Sequence, residues 1–204
     1  MRRVAHFGVA MAVACTGQPQ DWEVQGFDVF FAETRYNVQQ LDAARGVVAL
    51  AFGVNTTLFH PPDAVDTPVK DFEWVTAGEL GPWKRLERFR HEGASLALVI
   101  DRGHKTAPAI RTALLNAGVV VKENVTRAET AYWLRRAKRA HVPAHLQGGG
   151  ERVVLEAIAS GCQVKVADDN PKLLDLAATP PTQVPSLHDY AAAISHTLKD
   201  NRKP

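Results

Sequence analysis

Two patterns of apolar and polar residues alternate along the chain. Continuous apolar runs predict eight strands: Val4–Ala14, Asp28–Ala32, Val47–Ala51, Phe72–Ala77, Leu96–Asp101, Val119–Lys122, His141–Ala144 and Gln163–Ala167. Helical patterns fall between most of them: Tyr36–Ala44, Trp83–His91, Ala107–Ala117, Arg127–Arg139, Glu151–Ser160 and Ser186–Leu198. Apolar strands separated by helices are typical of a parallel sheet covered on both faces. The sequence therefore predicts an α/β protein with a doubly wound, Rossmann-like parallel sheet.

Local signals support two of the helix starts and one boundary between segments. Thr126 with Glu129, and Ser186 with Asp189, have the spacing of a capping box or a near relative of one. The stretch 60–70, HPPDAVDTPVK, has the prolines and scattered polar residues of a linker. We therefore predict a reduced α/β segment over residues 1–65 and a complete Rossmann-like domain over 66–204.

The first apolar run has a second interpretation. Met1-Arg2-Arg3 followed by VAHFGVAMAVAC resembles a short signal peptide, of the lipoprotein type if it ends at Cys15. Because His6 interrupts the apolar stretch, we favour a first β-strand. No other apolar run approaches the roughly 20 residues of a membrane-spanning helix.

Composition adds few constraints. Hydrophobic residues make up 46% of the 204 and charged residues 23%, which is ordinary for a globular protein. The net charge of +2, from 24 basic and 22 acidic residues, argues neither for nor against a polyanionic partner. Cys15 and Cys162 lie in unrelated contexts, so we expect no disulfide framework and a cytoplasmic location.

The most informative segment is GGGERVVLEAIASG, residues 148–161, in which a glycine triplet opens onto a helix. The first amides of a helix have no partner within it, and the helix dipole is positive at that end, so the segment is suited to phosphate. A glutamate further along the helix, Glu156, can accept hydrogen bonds from sugar hydroxyls. Phosphate and ribose together describe a nucleotide or nucleotide-sugar ligand.

Four segments in order resemble the donor-binding half of retaining nucleotide-sugar glycosyltransferases with the GT-B fold. AFGVNTTLFHP (51–61) resembles the entry to the interdomain linker, VTAGELGPWKR (75–85) the first strand and loop of the donor domain, and 114–132 its base-contacting part. GGGERVVLEAIASG resembles the glutamate motif, and the likeness covers roughly residues 28 to 176. It implies a metal-independent glycosyltransferase that takes a nucleotide-sugar such as a UDP-sugar as co-substrate and has no resident cofactor.

The resemblance also implies roles for particular residues. Lys84 would contact the donor diphosphate and neutralise charge that builds on the departing group. Glu156 would hold the ribose hydroxyls, and Glu151 is a further candidate for the catalytic set. The implied donor-binding set is Gly78, Glu79, Lys84, Lys122, Glu123, Asn124, Gly148, Gly149, Gly150, Glu151, Arg152 and Glu156.

Three departures from the family pattern weaken the expectation of catalysis. Gly148 stands eight positions before Glu156, where the family has its sugar-binding glutamate, unless Glu151 or His145 replaces it. Glu79 stands in place of an arginine, so a negative charge is expected where a phosphate contact is usual. The N-terminal, acceptor-side part is short. A protein partner or self-association would then complete the cleft. The alternative function is a non-catalytic nucleotide-binding or interaction subunit of a split enzyme.

Other chemistry is less well supported. Asp168 and Asp169 are adjacent and more typical of a helix start at Asn170-Pro171 than of a metal site, and the histidines lack zinc-ligand spacing, so no metal is expected. His6 and His104 are possible substrate contacts. The basic run 135–139 is explained by a helix C-terminus, where cations offset the dipole. The alternative is a basic surface shared with Lys84, Arg85, Arg88 and Arg90, and in that case a hydroxylated base in DNA is a candidate acceptor.

Overall fold

The computed structural model of the chain describes residues 4–5, 29–42, 47–50, 52–62, 69–146 and 152–200. The described strands and helices are, in chain order, β1 (Val4–Ala5), β2 (Val29–Ala32), α1 (Arg35–Asp42), β3 (Val47–Leu50), β4 (Phe72–Glu79), β5 (Ser95–Ile100), α2 (Ala107–Asn116), β6 (Val120–Glu123), α3 (Arg127–Arg135), β7 (Ala137–Val142), α4 (Arg152–Ala159), β8 (Gln163–Val166), α5 (Pro171–Ala177) and α6 (Leu187–Asp200). From β5 to α5 they alternate. The α/β class predicted from the apolar pattern is confirmed.

The strands form two parallel sheets. The first has the order β1-β2-β3, and Val4 of β1 lies opposite Val29 of β2, which confirms a first strand over Val4–Ala5. Residues 6–14, including His6, lie outside the described part. The second sheet has the order β6-β5-β4-β7-β8. In it Glu79 pairs with Ile100, so β4 and β5 end side by side at the carboxyl edge.

Apolar residues on the two faces of the larger sheet pack into two clusters. Val75, Leu96 and Leu98 face a cluster that includes residues of α3, α4 and α5, whereas Ala97 and Val99 face one that includes residues of α2. Alternate residues of β5 are therefore buried on opposite faces, which explains why the whole strand is apolar. This burial on both sides is what made the strands recognisable from the sequence.

Both predicted capping motifs are present. The Thr126 hydroxyl accepts the Glu129 amide at 3.2 Å, and the Glu129 carboxylate accepts the Thr126 amide at 2.7 Å. The Ser186 hydroxyl accepts the Asp189 amide at 3.1 Å, and the Asp189 carboxylate accepts the Ser186 amide at 2.8 Å. Asn170 caps α5, as its position before Pro171 suggested.

One helix prediction is wrong and another is wrong in part. Residues 83–91 form no α-helix; two short 3₁₀ turns, Pro82–Lys84 and Leu86–Arg88, stand there with Arg85 between them at φ 48°. The helix predicted over Arg127–Arg139 ends at Arg135, and β7 begins at Ala137, four residues before the predicted strand. Strand pairing decides this second case, because Ala137 lies opposite Phe72 of β4 and extends the sheet.

The C-terminal helix returns to the N-terminal sheet. Val29 and Phe31 of β2 pack against Tyr190, Ala193, Ile194 and Leu198 of α6. Close to the start of α6, a Cβ added at Gly53 would lie 2.3 Å from the Ser186 carbonyl oxygen, so glycine is required there. The division at residue 65 stays a prediction, since residues 63–68 lie outside the described ranges. Among the helices that the structure describes, none is both long and apolar enough to span a bilayer.

Candidate active site

The strand order of the larger sheet defines where a ligand is expected. From β4 the chain proceeds outward to β5 and β6, then returns to the other side of β4 as β7 and β8. The connections after β4 and β7 therefore lead away in opposite directions and leave a crevice at the carboxyl edge, which is the usual ligand position in such sheets. The backbone amide of His145, after β7, donates to the carbonyl oxygen of Trp83, after β4, at 2.7 Å. Both connections thus meet at this crevice.

Lys84 lies at the end of the first 3₁₀ turn after β4. Its Cγ and Cδ atoms are 3.6 Å from the position that a Cβ on Gly78 would occupy. The lysine side chain therefore runs across the exposed backbone of Gly78 at the carboxyl end of β4. The structure thus brings together two residues of the implied donor-binding set, both from the segment 75–85.

Glu79 is surrounded by donors from two loops. Its Oε1 accepts the indole N–H of Trp83 at 2.7 Å, and its Oε2 lies 3.3 Å from Nε of Arg102 and 3.9 Å from Nε2 of His104. Its side chain is 21% exposed. The negative charge that the sequence places at this edge is therefore paired within the protein.

Arg85 joins the loops around the crevice and is itself buried. Its guanidinium donates to both carboxylate oxygens of Asp169 at 2.7 Å, to the carbonyl of Pro143 at 2.7 Å and to that of Ala144 at 3.0 Å. This ion pair holds the pKa of Asp169 at about 2, below its ordinary value. The prediction of Arg85 as part of a basic surface is therefore wrong, because its charge is turned inward.

Glu156 lies in the middle of α4 and is 2% exposed. Burial raises the pKa of its carboxyl group, and the Arg127 guanidinium opposes that rise. Nη2 of Arg127 is 2.7 Å from Oε1 of Glu156, while the arginine side chain itself is 56% exposed. Arg127 belongs to the first turn of α3 and also lies over the ring of Phe59, 5.0 Å from its centroid. The carboxylate predicted to bind ribose is thus held by an arginine that reaches it from solvent.

Gly148, Gly149, Gly150 and Glu151 lie outside the described residues, so their predicted amide contacts with phosphate stay predictions. Arg152 opens α4, is exposed, and lies over the ring of Phe52 at 5.3 Å from the centroid. Its positive charge therefore lies at the start of α4, the helix end at which the amides are predicted to bind phosphate.

The predicted base-contacting residues at the end of β6 have partners within the protein. The Lys122 ammonium lies 4.6 Å from the ring centroid of Trp133. Both carboxylate oxygens of Glu123 accept from Arg111, at 2.6 and 2.9 Å, and Arg111 also pairs with Asp101. Asn124 has φ 54°, and its amide donates to the Val99 carbonyl at 2.7 Å. The loop is tied to the sheet, and its role toward a base stays a prediction.

Solved structures match this architecture over most of the chain. Anabaena Alr3699/HepE in complex with UDP matches with a TM-score of 0.67 at 12% identity, over 98% of this chain and 72% of that one. Sucrose-phosphate synthase from Thermosynechococcus elongatus matches with a TM-score of 0.58 at 17% identity, over 88% of this chain and 51% of that one. AviGT4, a glycosyltransferase involved in Avilamycin A biosynthesis, matches with a TM-score of 0.59 at 14% identity, over 85% of this chain and 63% of that one.

The chain has the GT-B glycosyltransferase fold. The resemblance drawn from the four sequence segments is confirmed at the level of the fold. No protein-family model and no curated protein matches the chain. What this GT-B chain does must therefore be argued from its site.

Within the GT-B fold, the basic run 135–139 is largely paired. Arg135 donates to the Leu58 carbonyl, Arg136 pairs with Asp71, and Lys138 and Arg139 both pair with Glu73. These residues span the end of α3 and the start of β7, at the amino edge of the sheet. They lie at the opposite edge from the crevice between β4 and β7.

Two arginines of the site were missed by sequence reasoning. Arg127 pairs with Glu156 and Arg102 lies beside Glu79. Arg127 directly follows the cap residue Thr126, so the helix start was visible in the sequence but its partner on α4 was not. Arg102 follows β5. Its position beside Glu79 could have been expected, because adjacent parallel strands end at the same edge of a sheet.

Proposed function

We propose that this chain transfers a sugar, with retention of anomeric configuration, from a nucleotide diphosphate donor to an acceptor hydroxyl. The observation that carries the proposal is the position of Lys84 across Gly78 at the crevice between β4 and β7. The loop that carries Lys84 also contacts the loop that leads into the segment 148–156. The Lys84 cation, together with the amides predicted at the glycine-led helix start, would suit a diphosphate. The solved HepE complexes contain UDP, UDP-glucose or UDP with glucose, so a UDP-sugar is the first donor to test.

The chemistry assigned to the chain is mainly electrostatic. The bond between the anomeric carbon and the diphosphate oxygen breaks, and negative charge grows on the diphosphate. The acceptor oxygen forms the new glycosidic bond, and its proton passes to the departing diphosphate. Lys84 and the amides of Gly149, Gly150, Glu151 and Arg152 would stabilise that charge. Glu156 would hold the ribose hydroxyls. No metal or resident cofactor is needed for this role, since the lysine supplies the positive charge.

Isothermal titration with UDP, GDP and ADP tests the donor assignment. We expect binding of at least one of them below millimolar concentration, and no binding of any at that level refutes the assignment. Lys84→Ala should weaken binding about 10- to 100-fold, as expected for loss of a charge-assisted contact. Lys199→Ala, an exposed lysine on α6, is the matched control. Lys84→Ala and Glu156→Ala should each abolish turnover without unfolding the chain.

The acceptor class is a separate part of the proposal. A hydroxylated base in DNA remains a candidate, supported by the exposed Arg88 and Arg90 beside the Lys84 turn, whereas Arg85 and the run 135–139 are paired. We propose a cytoplasmic site of action, which suits either a DNA or a small-molecule acceptor. Transfer assays with hydroxymethylated and unmodified duplex DNA decide this point, and equal inactivity toward both removes DNA as acceptor.

The second candidate function is a non-catalytic nucleotide-binding or interaction subunit of a split enzyme, which needs a different protein as its partner. Gly148, in place of the sugar-binding glutamate, favours it. Incubating the purified chain alone with UDP-sugars separates the two functions. Transfer or donor hydrolysis by the chain alone excludes the subunit role, and tight UDP binding without either reaction supports it.

A further inference from the structure

We propose that Glu79 is a positioning residue for Lys84 and acts through the indole of Trp83. Its importance for catalysis depends on the proposed function, in which Lys84 contacts the donor diphosphate. The positioning itself can be tested without a nucleotide. This role replaces the expectation that a carboxylate in place of an arginine simply opposes phosphate binding.

Trp83, the residue before Lys84, is held on several sides. Its indole N–H donates to Glu79 at 2.7 Å, and its ring meets the edge of His104 at 4.7 Å between centroids. A Cβ added at Gly81 would lie 2.8 Å from the indole carbons, so the ring lies directly on the Gly81 backbone. The Trp83 carbonyl accepts the His145 amide at 2.7 Å. With its backbone and ring both held, Trp83 fixes the backbone position of the adjacent Lys84, from which the lysine side chain starts across Gly78.

Glu79 connects this turn to the sheet and to the neighbouring loop. It is the last residue of β4 and therefore part of the rigid parallel ladder. Arg102, from the loop after β5, lies 3.3 Å from its second oxygen and is 66% exposed. The carboxylate thus holds the indole on one oxygen while an arginine offsets its charge on the other. Because Arg102 offsets the charge of Glu79, the surroundings of Lys84 keep a net positive charge.

The competing hypothesis makes the opposite prediction. If Glu79 acts mainly as an uncompensated negative charge near the diphosphate, Glu79→Ala and Glu79→Gln should both bind UDP more tightly than the unmodified protein. If it positions Lys84, Glu79→Ala should bind more weakly, and Glu79→Gln should recover most of the loss because its amide oxygen still accepts the indole N–H. The sign of the change separates the two.

The binding experiment is a double-mutant cycle measured by calorimetry with UDP. Glu79→Ala and Trp83→Phe should each weaken binding about tenfold, the loss of one well-placed hydrogen bond to a charged group. In the Lys84→Ala background, Glu79→Ala should change affinity less than twofold, because the residue through which it acts is gone. Additive losses, or tighter binding by Glu79→Ala, overturn the inference.

Matched controls come from the other end of the same strand. Glu73→Ala removes a carboxylate that pairs with Lys138 and Arg139, and Trp74→Phe removes an indole that stacks on His91. Both should leave UDP affinity within twofold. Losses in the controls as large as those in Glu79→Ala and Trp83→Phe would show that the effect is general destabilisation of β4, and would refute the specific role.

A readout without nucleotide separates this inference from the proposed function. Reductive methylation with ¹³C-formaldehyde labels the lysines, and the signal that disappears in Lys84→Ala identifies Lys84. That signal should shift in Glu79→Ala and Trp83→Phe and stay in place in Glu73→Ala, with Glu79→Gln close to the unmodified protein. An unmoved signal in both Glu79→Ala and Trp83→Phe overturns the inference. A shifted signal in a protein that binds no nucleotide diphosphate overturns the proposed function and leaves the positioning role standing.

Discussion

Arg85→Ala should be one of the most destabilising single changes around the larger sheet of this protein. The guanidinium is buried and joins three segments: the turn after β4, the residues after β7, and Asp169 after β8. Because arginine and alanine both carry a Cβ, the strain of the left-handed backbone at φ 48° is the same in both. The change therefore measures the side chain alone.

The magnitude follows from what each partner can recover. Asp169 is 58% exposed, so water replaces most of its bond to Arg85, and that ion pair is worth at most about 1 kcal/mol. The Ala144 carbonyl keeps the Asn170 side-chain amide at 3.0 Å, but the Pro143 carbonyl loses its guanidinium donor. A buried acceptor without its donor costs about 1 to 3 kcal/mol. We expect a total near 3 kcal/mol, or a melting temperature lowered by about 6 to 12 °C for a chain of this size.

Thermal and urea unfolding followed by circular dichroism measure this loss. Arg88→Ala, an exposed arginine three residues along, is the matched control and should change stability by less than about 0.5 kcal/mol. Arg85→Gly should recover about 1 kcal/mol relative to Arg85→Ala, because glycine has no strain at positive φ. A loss in Arg85→Ala no greater than that in Arg88→Ala would refute the account of Arg85 as a buried clamp.

Three further predictions concern pH and the Lys84 turn. Burial raises the pKa of Glu156, so the stability that its protonated form contributes is full below its ordinary pKa and is lost as the pH rises through the raised value. Glu156→Gln should therefore raise the melting temperature more at pH 7 than at pH 4, and it should weaken UDP binding. A lower melting temperature at pH 7 would contradict this. Burial, and next His91, lower the pKa of His141 to about 4, so the unfolding free energy should fall as pH drops from about 6.5 to 4. His141→Phe should flatten that fall in urea titrations, and an unchanged slope would count against it. Gly81→Ala should displace the Trp83 indole and weaken UDP binding about tenfold in calorimetry, whereas unaltered affinity would show that the turn tolerates the added methyl group.

Much of the fold was predictable because its signals are local or periodic. Strands buried on both faces are continuous apolar runs, as β5 is, and capping residues such as Thr126 and Glu129 lie three positions apart. The helix predicted over residues 83–91 failed for a long-range reason. Its sequence has no strong breaker after Pro82, but the partner of Arg85 is Asp169, 84 residues away in the chain. A buried guanidinium with four bonds outweighs the weak preference of nine residues for a helix.

The candidate site likewise has residues that the sequence identified and contacts that only the structure revealed. Lys84, Gly78 and Glu156 were identified from motif order, and the structure places Lys84 across Gly78 and buries Glu156 in α4. The pairing of Glu156 with Arg127 was not predictable, since nothing in either segment indicates the distance between them. The contacts of Glu79 with Trp83 and Arg102 were not predictable either, and its role depends on them.

The amino-acid sequence by itself determined the order of most strands and helices, the α/β class and the helix caps, because each depends on residues within a few positions of one another. The tertiary structure alone decided which charged side chains are buried or paired with one another within the described residues. It turned Arg85 inward to Asp169, paired Glu79 with Trp83 and Arg102, and placed Arg127 over Glu156. The physical reason is that the strength of a charge is set by its burial and by partners that are distant in sequence and become neighbours only when the sheet forms.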